Sequence, residues 1–347
     1  MIPLHSFANY KAIDVLGKGH FGIVYKAKNL GTNGEVALKI VSSQSANIAD
    51  QVLEEAKNIQ AAANKYTVKI NTAFNIEVSG VHFSLIDMPL IRGGTIENLY
   101  MTNQLSIRDV LKSMRHILVG LSGIHAKGII HKDVKPGNIL VDNDSFILGD
   151  FGLAAEINIT PTSNVAYVHH NPPELNKSHT LYDKQVIPSE KYDIYAAGMT
   201  FYRLLLPKSN FEISNKKYSD WCINPKGKTL PEFCGFPRYI PRRIKSIIKK
   251  ATALDRNRRY DSTTEMKQAI DRLKVQINWT LPPSMPSWHS TVDVDRNHLV
   301  RVIEKKNKFE FKYLVNGRKP RGFGTHIGTK EYALQALSNH VNSTMLE

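Results

Sequence analysis

The hydrophobic period of this chain changes twice, and those changes constrain its architecture more than any single motif. Before Gly93-Gly94 the apolar residues fall in short β-rich runs, Ala12 to Leu16, Ile23 to Ala27 and Val36 to Val41, punctuated by Gly17, Gly19, Gly22, Gly31 and Gly34. Asn33-Gly34 is a tight hairpin-turn dipeptide. One helix interrupts the strands over 48–63, with Val52, Ala56, Ile59 and Ala63 on one face, and strand character resumes at 73–76 and 81–86. Beyond Gly93-Gly94 the spacing becomes helical. Ser106 caps a segment whose Val110, Met114, Ile117, Leu121 and Ile124 recur three or four apart. Short strands are expected at 139–141 and 147–148, and helices at 193–206, 242–253 and 264–274. Leu281-Pro282-Pro283-Ser284-Met285-Pro286-Ser287 cannot continue a helix, and the chain from about Ser290 is strand-rich again. The expectation is an α+β chain: a β-rich lobe over about 1–88, a helical lobe over about 89–278, a linker over 279–290 and a small module over 291–347.

Composition narrows the class. With 347 residues, 42% of them hydrophobic and 22% charged, the chain is neither disordered nor collagen-like. No apolar run approaches the ~18–20 residues of a membrane helix; Gly198, Thr200 and Arg203 break the longest candidate. Met1-Ile2-Pro3-Leu4-His5 lacks the basic-then-apolar order of a secretion signal. Cys222 and Cys234 have neither zinc-ligand spacing nor the numbers of a disulfide framework, so reduced thiols and a cytoplasmic location are expected. The net charge of +15 is compatible with a polyanionic partner, or only with solubility.

Gly17-Lys18-Gly19-His20-Phe21-Gly22 is followed by the strand-like Ile23-Val24-Tyr25-Lys26-Ala27, not by a helix, so the glycines suit a hairpin folded over phosphates. Val36-Ala37-Leu38-Lys39 ends an apolar strand on a lysine, which can grip phosphates if a carboxylate orients it. Glu55, four residues before Ile59 of the buried face, is the better partner, and Glu54 the alternative. Then come His131-Lys132-Asp133-Val134-Lys135-Pro136-Gly137-Asn138 and, twelve residues after Asn138, Asp150-Phe151-Gly152.

In order and spacing, this set resembles the eukaryotic-type protein kinases: the glycine loop, the strand lysine, H-R-D-x-x-x-x-N with Lys132 for arginine, and D-F-G. Pro172-Pro173-Glu174 stands where A-P-E is expected, Asp193 opens a segment similar to D-x-W-S-x-G, and Asp255 to Arg259 resembles D-P-x-x-R. The resemblance covers roughly 10–275. It implies the bilobal kinase fold, ATP and Mg²⁺ as cofactors, and a protein serine/threonine substrate.

It also implies the site residues. Asp133 would be the catalytic base, Lys135 would reach the γ-phosphate, and Lys39 held by Glu55 would fix the other phosphates. Asn138 and Asp150 would ligate the metal. Leu16, Gly17, Gly19, Gly22, Val24, Ala37, Lys39, Asp87 and Leu140 would surround the nucleotide. Ile86 would guard the adenine pocket, Asp87 would lend adenine a backbone carbonyl, and Pro89, having no N–H, leaves apolar sandwiching to do much of the holding. His131 would tie the catalytic loop to Asp193, Phe151 would pack with Ile59, and Glu174 with Arg259 would form a buried ion pair.

Two departures bear on regulation and specificity. Lys132 cannot reproduce the bidentate fork with which arginine docks a phosphorylated loop, so activity is expected to depend little on phosphorylation at Thr160, Thr162 or Ser163. Tyr167 replaces the usual threonine, whereas Lys135 argues for serine/threonine acceptors. A pseudokinase scaffold is the rival reading, but Lys39, Asp133, Asn138 and Asp150 are all present.

Between Arg301 and Lys330 nine basic residues stand against Glu304 and Glu310. Lys308-Phe309-Glu310-Phe311-Lys312-Tyr313 alternates as a half-buried strand, Asn316-Gly317 is a turn, and Arg318 to Ile327 is expected to return as its partner. Thr329 would cap a last helix with Ala333, Leu337 and Val341 inward. This three-stranded sheet on a helix is faintly similar to phage integrase arm-binding and plant ethylene-response DNA-binding domains. That similarity implies a nucleic acid or acidic partner for 291–347 and a kinase tethered to it. The alternative is a docking module whose aromatics face its own helix.

Overall fold

The structure is a computed structural model describing residues 8–19, 22–102, 104–150, 168–177, 179–183, 185, 189–206, 215–280, 287–290 and 296–347. Phe151, Gly152, Thr160, Thr162, Ser163, Tyr167 and the prolines of 281–286 lie outside the described residues.

Five antiparallel strands form the first lobe: β1 (Tyr10–Gly19), β2 (Gly22–Asn29), β3 (Glu35–Ser43), β4 (Thr72–Val78) and β5 (Val81–Pro89), in the order β1-β2-β3-β5-β4. Alternation along the strands gives the sheet two distinct faces. Tyr10, Ala12, Tyr25, Ala27, Val36, Leu38, Ile40, Phe83 and Leu85 pack together on one of them. The other takes α1 (Ala46–Ala62), capped by Ser45 and buried along Ala49, Val52, Ala56, Ile59 and Ala62.

The second lobe is built around α3 (Ile107–His125), which follows the short α2 (Ile96–Met101). Ser106 and Asp109 form a reciprocal capping box at its start, and its apolar stripe is fully buried. Packed with it are the hairpin β6 (Ile139–Asp142) and β7 (Ser145–Leu148), then α4 (Glu190–Leu204), α5 (Asn215–Ile223), α6 (Leu230–Cys234), α7 (Arg242–Ala251) and α8 (Thr263–Asp271). The expected bilobal architecture is therefore present.

The C-terminal module contains the three expected strands, β10 (His298–Lys305), β11 (Lys308–Val315) and β12 (His326–Gly328), under α9 (Lys330–Met345). Its sheet is widened by β8 (Trp279–Thr280) and β9 (Ser287–Ser290), so both ends of the proline-rich segment enter it. One expectation needs correcting. The return strand is not 318–327 but the three residues of β12, because Asn316-Gly317 closes only a single bridge, Val315 to Arg318. Pro320, Gly322 and Gly324 then deny the chain the donors and stiffness of a longer strand. Register puts Val300, Val302, Phe309, Phe311 and Tyr313 on the face toward α9, where His340 lies 4.1 Å from the Tyr313 ring. The aromatics thus face the module's own helix.

The module is docked on the helical lobe. Trp279, Val300, Phe311, Leu337 and Val341 belong to the same continuous core as Met114 and Ile270. Ile277 N donates to Thr344 O at 2.9 Å, Asn278 Oδ1 accepts from Arg108 N at 2.9 Å, and Asn342 Nδ2 donates to Arg238 O at 2.8 Å. Among the described residues no helix is long and apolar enough to cross a membrane.

Candidate active site

The β-ladder decides which side chains line the gap beneath the sheet. Val24 pairs with Lys39, Lys39 with Ile86, and Ala37 with Met88, so all five share one face. Lys39 is 4% exposed, and a bare ammonium so placed needs a counter-charge. Its Nζ lies 2.5 Å from Asp150 Oδ1, across the gap between the lobes. Burial raises the Asp150 pKa, but Lys39 outweighs it and holds the carboxyl below its ordinary range. Glu55 is half-buried beside the α1 stripe, whereas Glu54 points to solvent near Lys57.

From below, residues 131–138 form a tight polar knot. Lys135 Nζ donates to Asp133 Oδ2 at 2.6 Å, and Asn138 Nδ2 donates to the same oxygen at 2.8 Å and to Asp133 O at 2.9 Å. Asp133 Oδ1 is left for another donor. Asn138 has spent its amide nitrogen, so its oxygen remains for a cation. Two residues beside the knot, Lys132 at φ 66° and Asp150 at φ 52°, hold left-handed backbone that non-glycine residues rarely adopt. Lys132 is pinned there because its N–H donates to Asp193 Oδ1 at 2.9 Å.

The family model for the protein kinase domain matches residues 10–270, three quarters of the chain. The chain belongs to the protein kinase family. Among curated relatives it is 27% identical over 268 residues to the serine/threonine-protein kinase PrkC of Bacillus subtilis, covering 75% of this chain and 40% of that one. Cyclin-dependent kinase 20 of Danio rerio is 29% identical over 245 residues, 66% of this chain and 68% of the relative. Serine/threonine-protein kinase KIC1 of Saccharomyces cerevisiae is 29% identical over 200 residues, 56% of this chain and 18% of the relative. The chain thus spans less than half the length of PrkC and of KIC1. The match ends before the C-terminal module of the kinase.

The glycines of the loop divide into two kinds. A Cβ on Gly22 would stand 2.2 Å from Ile40 O, and its φ is 138°, so β3 itself demands glycine there. A Cβ on Gly17 would meet none of the described residues within 4 Å. Leu16, at a register shift of β1, is 50% exposed, and Leu140 on β6 is half-buried.

Asp87 is not where the adenine contact was expected. Its carbonyl accepts from Asn71 N at 2.8 Å, and its carboxylate, 2% exposed, takes Tyr10 Oη at 2.7 Å and Asn71 Nδ2 at 2.9 Å. Those bonds knit β5 to its neighbours. The ladder runs to Pro89, so the connector leaving the sheet begins at Leu90.

The loop's anchor is Asp193, fully buried in the first turn of α4, where the helix dipole favours a carboxylate. It accepts from the backbone N–H groups of His131 and Lys132 and sits 2.7 Å from His125 Nε2. The His131 ring reaches Gly149 O instead, at 3.2 Å. His125 and His170 carried no motif signal. His170, whose pKa burial pushes down to about 3, is neutral; its Nδ1 donates to Val134 O at 3.0 Å, and Thr200 Oγ1 donates to the same carbonyl at 3.1 Å. Two buried donors therefore fix the backbone between Asp133 and Lys135. Glu174 and Arg259 form the expected buried pair through two 2.7 Å contacts.

Proposed function

We propose that the kinase transfers the γ-phosphoryl group of ATP to serine and threonine hydroxyls of proteins. The carrying observation is the convergence of Lys135 and Asn138 on one carboxylate oxygen of Asp133, together with the Lys39–Asp150 pair. In-line transfer demands positioning and charge compensation more than covalent chemistry. Asp133 Oδ1 accepts the acceptor hydroxyl's hydrogen bond and its proton. Lys135, two residues away, moves its ammonium from Asp133 to the transferring phosphoryl group as charge develops there. Lys39, held by Glu55, grips the remaining phosphates. A magnesium ion, for which Asn138 Oδ1 and the Asp150 carboxylate are two hard oxygen donors, would neutralise phosphate charge; two protein ligands suit an ion that keeps water and substrate oxygens. Gly17, Gly19 and Gly22 cover the phosphates, with Leu16, Val24 and Ala37 above adenine and Leu140 below. Adenine's polar edge meets the connector from Leu90 onward rather than Asp87.

Labelled ATP with magnesium and a protein mixture tests this reading. The expected product is phosphoserine and phosphothreonine; no labelled polypeptide, or phosphotyrosine alone, would overturn it. A second expectation follows from Lys132. Replacing Thr160, Thr162 and Ser163 together by alanine should leave at least about half of the activity, because a lysine offers no bidentate fork to a phosphate in that loop. Loss of more than about nine-tenths would refute that independence.

A further inference from the structure

Away from the transfer site, α6 and α7 flank an open cleft of about 450 Å³, a size suited to a small polar ligand or a side chain with its flanks. Arg242, Lys245, Ser246 and Lys249 follow each other along one face of α7, and Lys228, Glu232 and Phe236 form the opposite wall. The charges do not cancel. Lys249 Nζ lies 2.5 Å from Glu232 Oε1, which neutralises one cation of four. No described carboxylate pairs with Lys228, Arg242 or Lys245.

Two further observations point to a missing anion. Lys245 is half-buried, and burial pulls its pKa below the ordinary lysine value with no acid to offset the cost. The first turn of α7 carries Arg242 and Arg243 and no acidic residue, the reverse of what a helix dipole favours. Arg243 turns away to the carbonyls of Arg272 and Glu347, which leaves Arg242 over the cleft. An anion seated between Lys228, Arg242 and Lys245 would relieve both penalties.

We propose that this cleft binds a phosphorylated serine or threonine on a polypeptide. The choice of a phosphorylated protein rests on the kinase reading, because such groups are what that reaction makes. A phosphoryl group brings roughly −1.5 to −2 charges and three acceptor oxygens, which match three unpaired cations better than one carboxylate does. Phe236 offers an apolar wall for the adjoining chain.

The test is fluorescence anisotropy of the full chain, without ATP, against a labelled Gly/Ser peptide carrying one phosphoserine and against its unphosphorylated twin. The phosphopeptide should bind at least about tenfold more tightly, a preference that salt weakens. Arg242→Gln with Lys245→Gln should abolish the preference. The exposed Lys228→Gln, which removes no packing, should reduce it about threefold or more and guards against a folding artefact. Phosphorylation of an unprimed peptide should be unchanged in both variants. Equal affinity for the two peptides, or an undiminished preference in both variants, overturns the site. Equal binding of a charge-matched oligonucleotide or polyglutamate, lost in the same variants, overturns the phosphopeptide assignment. Because no ATP is present, failed phosphoryl transfer would leave this result standing.

Discussion

Asp133→Asn should lower kcat by about 10²–10⁴-fold while leaving ATP affinity within about threefold of wild type. The replacement keeps the size and one acceptor oxygen of the side chain. Lys135 Nζ and Asn138 Nδ2, now 2.6 and 2.8 Å from Asp133 Oδ2, can still meet an oxygen there. The loop is further held by Asp193, His170 and Thr200, none of which touches the substituted group. What the variant loses is the oxygen able to take the hydroxyl proton. The separation of kcat from nucleotide binding is the informative readout, because a collapsed loop would lose both. Retention of more than about a tenth of wild-type turnover after Asp133→Asn would refute the base assignment. Equal and negligible labelling by wild type and variant, with nucleotide still bound, would instead favour a scaffold.

The parts of this site that were legible in the sequence are those whose geometry is local. Asp133, Lys135 and Asn138 lie within six residues, and a turn begun by Pro136 suffices to bring them together. Strand alternation puts Lys39 on the same face as Ala37, whereas its part in gripping phosphates is what the family resemblance implies. The Asp193 hub was only half legible: its partner loop could be named, but His125, 68 residues away, approaches it through the packing of α3 against α4. His170 is similar, since nothing in Val168-His169-His170 signals that a carbonyl 36 residues earlier needs a donor. Asp87 differs for another reason: its carbonyl was expected to meet adenine, but nothing in the local sequence signals that Asn71 N, sixteen residues earlier, already donates to it at 2.8 Å. At the C-terminus, the turn between β10 and β11 uses Lys306 and Asn307, both at positive φ. A lysine in that conformation is not a turn signal, so the hairpin was hidden while Asn316-Gly317 attracted attention.

Arg259→Ala should destabilise the kinase by about 3–5 kcal/mol, the cost of leaving a buried carboxylate without its partner. The arginine side chain is wholly buried and Glu174 is 13% exposed, so water cannot replace the lost contacts. Nη1 and Nη2 each lie 2.7 Å from a Glu174 oxygen, Nε donates to Ala253 O at 2.9 Å, and the guanidinium stands 4.9 Å from the Tyr195 ring centroid. This single side chain therefore ties the segment around Glu174 to α4 and to the turn before α8. For a domain of this size the expected fall in melting midpoint is roughly 6–20 °C. Arg259→Lys should recover only part of it, because one ammonium cannot span two carboxylate oxygens and the Ala253 carbonyl together. The decisive comparison is the double variant Glu174→Gln, Arg259→Ala: with the charge gone as well, it should be more stable than Arg259→Ala alone, and with Glu174→Gln as the fourth corner a coupling of at least about 1 kcal/mol should appear in the cycle. A single-variant cost below about 1 kcal/mol would mean that the pair behaves as an exposed one and that the segment is held by something else.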